Sequence, residues 1–241
     1  MYRTLNPDKI IETLEKLHQR IGDRFPHSGL SQVCSELVGI AKDSKAKTAE
    51  AARPNMLLRA SIGIVLVLGT MLLGYVATII EIKRGTENLY GVLQGIEAAV
   101  NTLVLTGAGV FFLASLESRW KRQRAFMELH RLQSIIHVVD MHQLTKDPSA
   151  ITSINTPTAS SPQRTLNAYE LARYLDYCSE MLSLAAKIAA LHAQVTKDPA
   201  IIDSAQSLEQ LTANMSGKIW QKIRMAQDVA SKGGAQPAPA G

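Results

Sequence analysis

The chain has 241 residues, of which 46% are apolar, 20% charged and only 5% aromatic, with 26 Lys and Arg against 21 Asp and Glu. That is enough for one or two domains with a sizeable core, but the long uncharged runs lie in the middle third, which argues against an ordinary soluble globule and for a membrane protein. The two cysteines, Cys34 and Cys178, are too few and too far apart for a disulfide framework or a Cys-based metal site, and they fit a reducing compartment.

In residues 1–55, Asn6-Pro7 is a helix start signal, and Ile10, Leu14, Leu17 and Ile21 share one face of an amphipathic helix over Asp8 to Ile21. Arg24-Phe25-Pro26-His27-Ser28-Gly29 reads as a turn, after which Ser28 or Ser31 caps a second helix carrying Val33, Leu37, Ile40 and Ala41. Arg53-Pro54-Asn55 breaks the chain again.

Residues 56–118 are predicted to be a transmembrane hairpin. From Ala60 to Ile80 no residue is charged for 21 positions, and from Ala98 to Leu116 the polar groups are Asn101, two Thr and one Ser. About 20 helical residues cross a hydrocarbon core of about 30 Å. Before the first run stand Lys42, Lys45, Lys47, Arg53 and Arg59; after the second stand Arg119, Lys121, Arg122, Arg124 and Arg131; between the runs the bases are Lys83 and Arg84. This bias places both termini in the cytoplasm, with Arg119, Lys121, Arg122 and Arg124 against anionic lipid headgroups. Trp120, Tyr75 and Tyr90 stand where amphipathic rings prefer the interface. Small residues recur at helical spacing as Gly63, Val67, Thr70, Gly74 and Ala77 on the first run and Ala99, Thr102, Thr106 and Gly109 on the second, so the two seams are expected to face each other or a neighbouring subunit. In a ring of about four or more copies, Asn101, Thr102, Thr106 and Gly109 would line a pore that Phe112 closes by dewetting.

No proline interrupts Glu87 to Gln143, so the second span is expected to continue as one helix of about 55 residues, about 80 Å long, through 119–151. Phe126, Leu129, Leu132, Ile136 and Val139 form a stripe that needs a partner helix. His130, His137, Asp140 and His142 at its end are ligand types on related faces, but no further ligand closes a site, and hydrogen bonding within a helical core is the expected role. Thr145-Lys146-Asp147-Pro148 and Thr196-Lys197-Asp198-Pro199 read as helix corners, with Asp as N-cap and Pro in the first turn. Residues 152–165 are a Ser/Thr/Pro-rich linker. Within 166–230, the seams Leu171, Leu175, Cys178, Leu182, Ala185, Ala189 and Leu208, Leu211, Met215, Ile219, Ile223, Ala226 predict a helical hairpin with coiled-coil-like packing, and 231–241 is expected to be a disordered tail.

No G-x-S-x-G turn, P-loop or dinucleotide fingerprint is present, so no enzyme activity, cofactor or nucleic-acid role is expected. The phrases Arg24-Phe25-Pro26-His27-Ser28-Gly29-Leu30, Asp140-Met141-His142-Gln143-Leu144-Thr145-Lys146-Asp147-Pro148 and Lys218-Ile219-Trp220-Gln221-Lys222-Ile223 resemble those of a bacterial two-transmembrane-helix family of unknown function. The layout is also similar in architecture to SLATT-type two-span effectors, which are thought to form pores. The expected whole is an all-α membrane protein of the bacterial inner membrane: a two-helix transmembrane hairpin whose long second helix extends into a cytoplasmic helical bundle. It is expected to form a homo-oligomer and to engage a cytoplasmic protein partner or, alternatively, to form a gated ion pore.

Overall fold

The computed structural model of the protein describes residues 4–83, 89–146, 148 and 166–233. Among them every regular element is an α-helix: α1 (Pro7–Arg24), α2 (Gly29–Ala52), α3 (Met56–Lys83), α4 (Leu89–Leu144), α5 (Ala168–Thr196) and α6 (Pro199–Gly233). The chain divides into two compact units, one of Met1–Ala52 and Arg124–Gly241, the other of Arg53–Gln123, so α4 contributes to both.

In the larger unit the helix ends follow local chemistry. Asn6 caps α1 by accepting from the Asp8 amide at 2.9 Å, and Pro7 occupies the first helical position, where a missing N–H leaves nothing unpaired. The Ser28 hydroxyl accepts from the Ser31 amide at 3.2 Å at the start of α2. Asn167 and Glu170 form a reciprocal capping box on α5. Lys197, with φ of 52°, ends α5 in the left-handed conformation, and the Asp198 carboxylate accepts from the Ala200 amide at 3.0 Å to start α6.

The core of this unit joins α1, α2, α5, α6 and the end of α4, with the most extensive packing between α5 and α6. Leu14, Leu17, Leu37, Leu132, Ile136, Leu175, Leu182 and Ile188 are wholly buried, and the six α5 seam residues named above are all in the core. Three details differ from expectation. Phe126 is 38% exposed and Ala125 takes its place, because the buried line of α4 runs through Ala125, Leu129, Leu132, Ile136 and Val139. On α6, Leu211 is only half-buried and Thr212 is buried instead. Ser231 to Gly233 are helical, not tail, because α6 continues through them. The linker 152–165, Asp147 and residues 234–241 lie outside the described residues.

In the smaller unit, Val65 of α3 lies against Gly109 of α4, Gly69 against Thr106, and the Asn55 amide donates to the Glu117 carboxylate at 3.3 Å. A methyl group on Gly69 would come within 2.7 Å of the Thr106 side chain, so this approach requires glycine. The α4 seam therefore faces α3 through Thr106 and Gly109. The predicted α3 seam does not face α4: Gly63 and Gly74 have no neighbouring atom within 4 Å of a Cβ position, and Val67 and Thr70 are exposed. Both faces of α3 are apolar and carry small residues, so sequence spacing alone does not choose between them. Ala77's side chain lies outside the described residues.

Candidate functional site

Residues 24–30, 140–148 and 218–223 lie far apart in the chain, and their described parts meet around the end of α4. The turn after α1 closes with the Phe25 amide donating to the Ile21 carbonyl at 2.7 Å, and His27 adopts φ of 58°. It delivers Gly29 to the His142 ring so closely that an added methyl would stand 2.5 Å from the ring's Cε1. The His142 Nδ1 lies 3.4 Å from the Tyr174 hydroxyl of α5. Burial, then the nearby Lys146 charge, holds the His142 pKa below the ordinary imidazole value, which favours the neutral ring.

Aromatic rings continue the contact. Phe25 meets Tyr174 and Tyr177 edge-on, with centroids 5.5 and 6.3 Å apart. Lys146 stands 5.3 Å over Tyr174, while Arg173 and Arg20 stand 5.2 and 5.8 Å over Tyr177. Arg173 also pairs with Asp176 at 2.8 Å, and Arg20 with Glu180. From α6, Lys222 donates to the Gln143 carbonyl at 3.0 Å and to its side-chain oxygen at 2.6 Å, and Gln143 in turn donates to Asp140 at 2.6 Å. These cations are already engaged with rings or acceptors, and the adjacent Cys178 thiol is pushed up to about 12 by burial, which keeps it protonated and unreactive. The cluster is a clamp that fastens the end of α4 to the α1–α2 turn, α5 and α6.

The four histidine and aspartate candidates are not brought together. His130 and His137 are exposed on α4, Asp140 is bonded to Gln143, and His142 faces Tyr174. Among the described residues no three His, Cys, Asp or Glu side chains converge as a metal-binding group. The expected His–Asp pairing is replaced by Asp140 with Gln143: His137 and Gln143 each stand three positions from Asp140 on its face of the helix, and Gln143 is the one that bonds to it.

The suggested pore-lining residues divide between two sides of α4. Thr106 and Gly109 face α3, and Thr102 is buried with its hydroxyl donating to the Ala98 carbonyl at 2.8 Å. Asn101 and Phe112 are exposed. Of the suggested headgroup contacts, Lys121 pairs with Glu117 at 2.9 Å and donates to the Arg53 carbonyl at 3.1 Å, Arg124 donates to Glu50 at 2.8 Å, and Arg119 and Arg122 are exposed.

A buried polar group escaped the sequence reading. Glu128 of α4 is buried and pairs with Lys47 of α2 at 2.6 Å, with Arg131 at 3.5 Å. His192 of α5 is buried, its Nε2 has no hydrogen-bond partner among the described residues, and burial lowers its pKa to about 4, the Glu128 charge opposing and Lys47 adding to the shift. Both left a signal: Glu128 falls between Ala125 and Leu129 on the apolar line of α4, and His192 continues the Ala185–Ala189 line of α5. Comparison with known proteins gives no match to any family model, curated sequence or solved structure.

Proposed function

We propose that the chain is a multi-pass protein of the bacterial inner membrane, without catalytic activity, that assembles with copies of itself and engages a cytoplasmic protein through its larger helical unit. The spans are about 60–80 and 98–116, paired as a hairpin, and both termini are cytoplasmic. One observation carries this reading: only 6% of the most apolar 18-residue stretch of α3, and the same share of α4, is buried within the chain. A core helix of a soluble protein buries its apolar face, whereas here Ile64, Leu68, Met71, Leu103, Leu105 and Phe111 are exposed. Lipid is the solvent that suits such surfaces, and the flanking basic residues orient them.

The expected topology is checked by single introduced cysteines. Cys34 and Cys178 are buried with thiols held near about 12, so they contribute little background. In intact cells, a membrane-impermeant maleimide is expected to label Asn88→Cys, and to label Ser207→Cys only after permeabilisation. The opposite pattern, or release of the protein by alkaline carbonate, overturns the reading.

A gated oligomeric ion pore lined by α4 is the second reading, and Asn101 favours it. This amide is exposed among apolar neighbours, on nearly the same line of the helix as the exposed Phe112 three turns on. In a bilayer an exposed amide needs a partner on another helix or water in a lumen. Under this reading Phe112→Ala raises ion leak several-fold in liposomes containing the purified protein, and unchanged flux at every voltage removes it.

A further inference from the structure

The smaller unit gathers positive charge at one end. Residues 53–59 and 117–123, at the start of α3 and just beyond the second apolar run, hold Arg53, Arg59, Arg119, Lys121 and Arg122 against one carboxylate, Glu117. Residues 81–97, between the two runs, hold three glutamates and two bases. Glu117 is satisfied within the unit: it accepts from the Asn55 amide at 3.3 Å and pairs with Lys121 at 2.9 Å, and Lys121 also donates to the Arg53 carbonyl at 3.1 Å. These bonds fasten the start of α3 to α4 and bring the Arg59 charge near the same carboxylate. Arg53, Arg59 and Arg119 are exposed, and none of the three forms an ion pair among the described residues. Within one helical turn of them Met56, Leu57 and Leu116 are exposed, and Trp120 stands half-exposed between Arg119 and Lys121.

We infer that this end of the hairpin is a binding surface for anionic phospholipids, whose phosphates meet Arg53, Arg59 and Arg119 while their acyl chains cover Met56, Leu57 and Leu116. The inference rests on the membrane reading proposed above and names the lipid class. A guanidinium keeps its charge at any physiological pH and can donate two parallel hydrogen bonds to a phosphate, so the arginines call for an anion. The apolar side chains beside them call for hydrocarbon, and they lead into the exposed Ile64 and Leu68 of α3 and Phe111 and Phe112 of α4. Free phosphate or nucleic acid meets the first need and leaves the second unmet, whereas a phospholipid meets both in one molecule. A half-exposed indole beside a basic cluster suits the same interface. Phosphatidylcholine carries an ammonium that surplus positive charge repels; phosphatidylglycerol carries none. The structure also changes which bases serve. Lys121 and Arg124 are committed to protein acceptors, while Arg53 and Arg59, from the other arm of the hairpin, join Arg119.

The test reads the lipid at Trp120, which Trp220→Phe leaves as the chain's one tryptophan. Trp220 is itself half-exposed, so this background substitution spares the core. The full chain is reconstituted in phosphatidylcholine bilayers containing rising fractions of brominated phosphatidylglycerol or brominated phosphatidylcholine, and quenching of Trp120 fluorescence gives the relative affinity for the two lipids. A preference of about threefold for phosphatidylglycerol is expected, weakening as salt rises. Arg53→Gln with Arg59→Gln and Arg119→Gln is expected to abolish it. Arg53→Gln with Arg119→Gln, which keeps the charge near Glu117, reduces it partway, and Arg124→Gln, which removes a base bonded to Glu50, leaves it unchanged. Equal quenching by the two lipids, a preference that survives the triple substitution, or equal loss in Arg124→Gln overturns the inference. Loss of the preference to inorganic phosphate but not to chloride at matched ionic strength makes this a free-phosphate site and also overturns it. Quenching by neither lipid puts Trp120 outside the bilayer and overturns the membrane reading as well. Equal quenching with the labelled topology intact rejects the anionic lipid and leaves the anchored module standing.

Discussion

Leu175→Asp is expected to unfold the larger unit, with loss of most of its helical circular dichroism and of its cooperative thermal transition. Leu175 is wholly buried in the seam of α5, where an ionised carboxylate has neither water nor a partner. The penalty is of the same order as the whole stability of a domain, about 5–15 kcal/mol. Leu175→Ala, which removes volume without adding charge, is expected to cost about 2–5 kcal/mol and to lower the unfolding temperature while leaving a folded protein. Leu211→Asp is the informative contrast, because the same seam pattern contains it but the side chain is only half-buried and a carboxylate there reaches solvent. Its effect should be smaller than that of Leu175→Ala. Equal damage from the two aspartates, or full helicity in Leu175→Asp, would refute the packing described for α5 and α6.

Acidification is expected to weaken the same unit through His192. Burial holds this imidazole at about 4 in the folded chain, against an ordinary 6.5. Between those values the unfolded chain binds more protons than the folded one, so stability falls as pH falls. The contribution is complete above about 6.5, declines through the interval and is lost below about 4. Its size is about 3 kcal/mol, from about 1.4 kcal/mol for each pH unit between the two values. Lys47 of α2 opposes the proton together with desolvation, and Glu128 of α4 draws it on without outweighing them. His142, also held low by burial, acts in the same direction. Denaturant unfolding of His192→Leu at pH 7 and at pH 4.5 is expected to show a smaller difference than the unsubstituted chain does. If both proteins lost the same stability, His192 would not be the responsible group.

Much of the architecture is legible one helix at a time. Asn6-Pro7 starts α1, Pro54 separates α2 from α3, the proline-free stretch becomes the continuous α4, and Asp198-Pro199 turns α5 into α6. These signals are local: a missing amide hydrogen, a side chain that accepts from the next turn, or a period of 3.6 residues. Periodicity also identifies Leu14, Leu17, Leu132, Ile136 and the α5 line as core, because each helix there has one apolar face and only that face can be buried.

Where a helix has two apolar faces, or where the meaning of a residue depends on what stands across from it, the tertiary structure decides. On α3 the contact passes through Val65 and Gly69 instead of the equally plausible Gly63–Gly74 line, because Thr106 closes onto a position with no Cβ. At the end of α4, four candidate ligands share a short segment, yet His130 and His137 are exposed while His142 lies against Gly29 and Tyr174. No spacing rule pairs α4 with a turn more than 100 residues earlier or with Lys222 of α6. The sequence by itself determined the helices, their breaks and two charge-free runs of spanning length, since those depend on neighbours in the chain. Only the packed structure decided which small residues touch, that the buried Glu128 pairs with an exposed Lys47 near His192, and that the end of α4 is held by three distant segments, since each of these depends on groups that folding brings together.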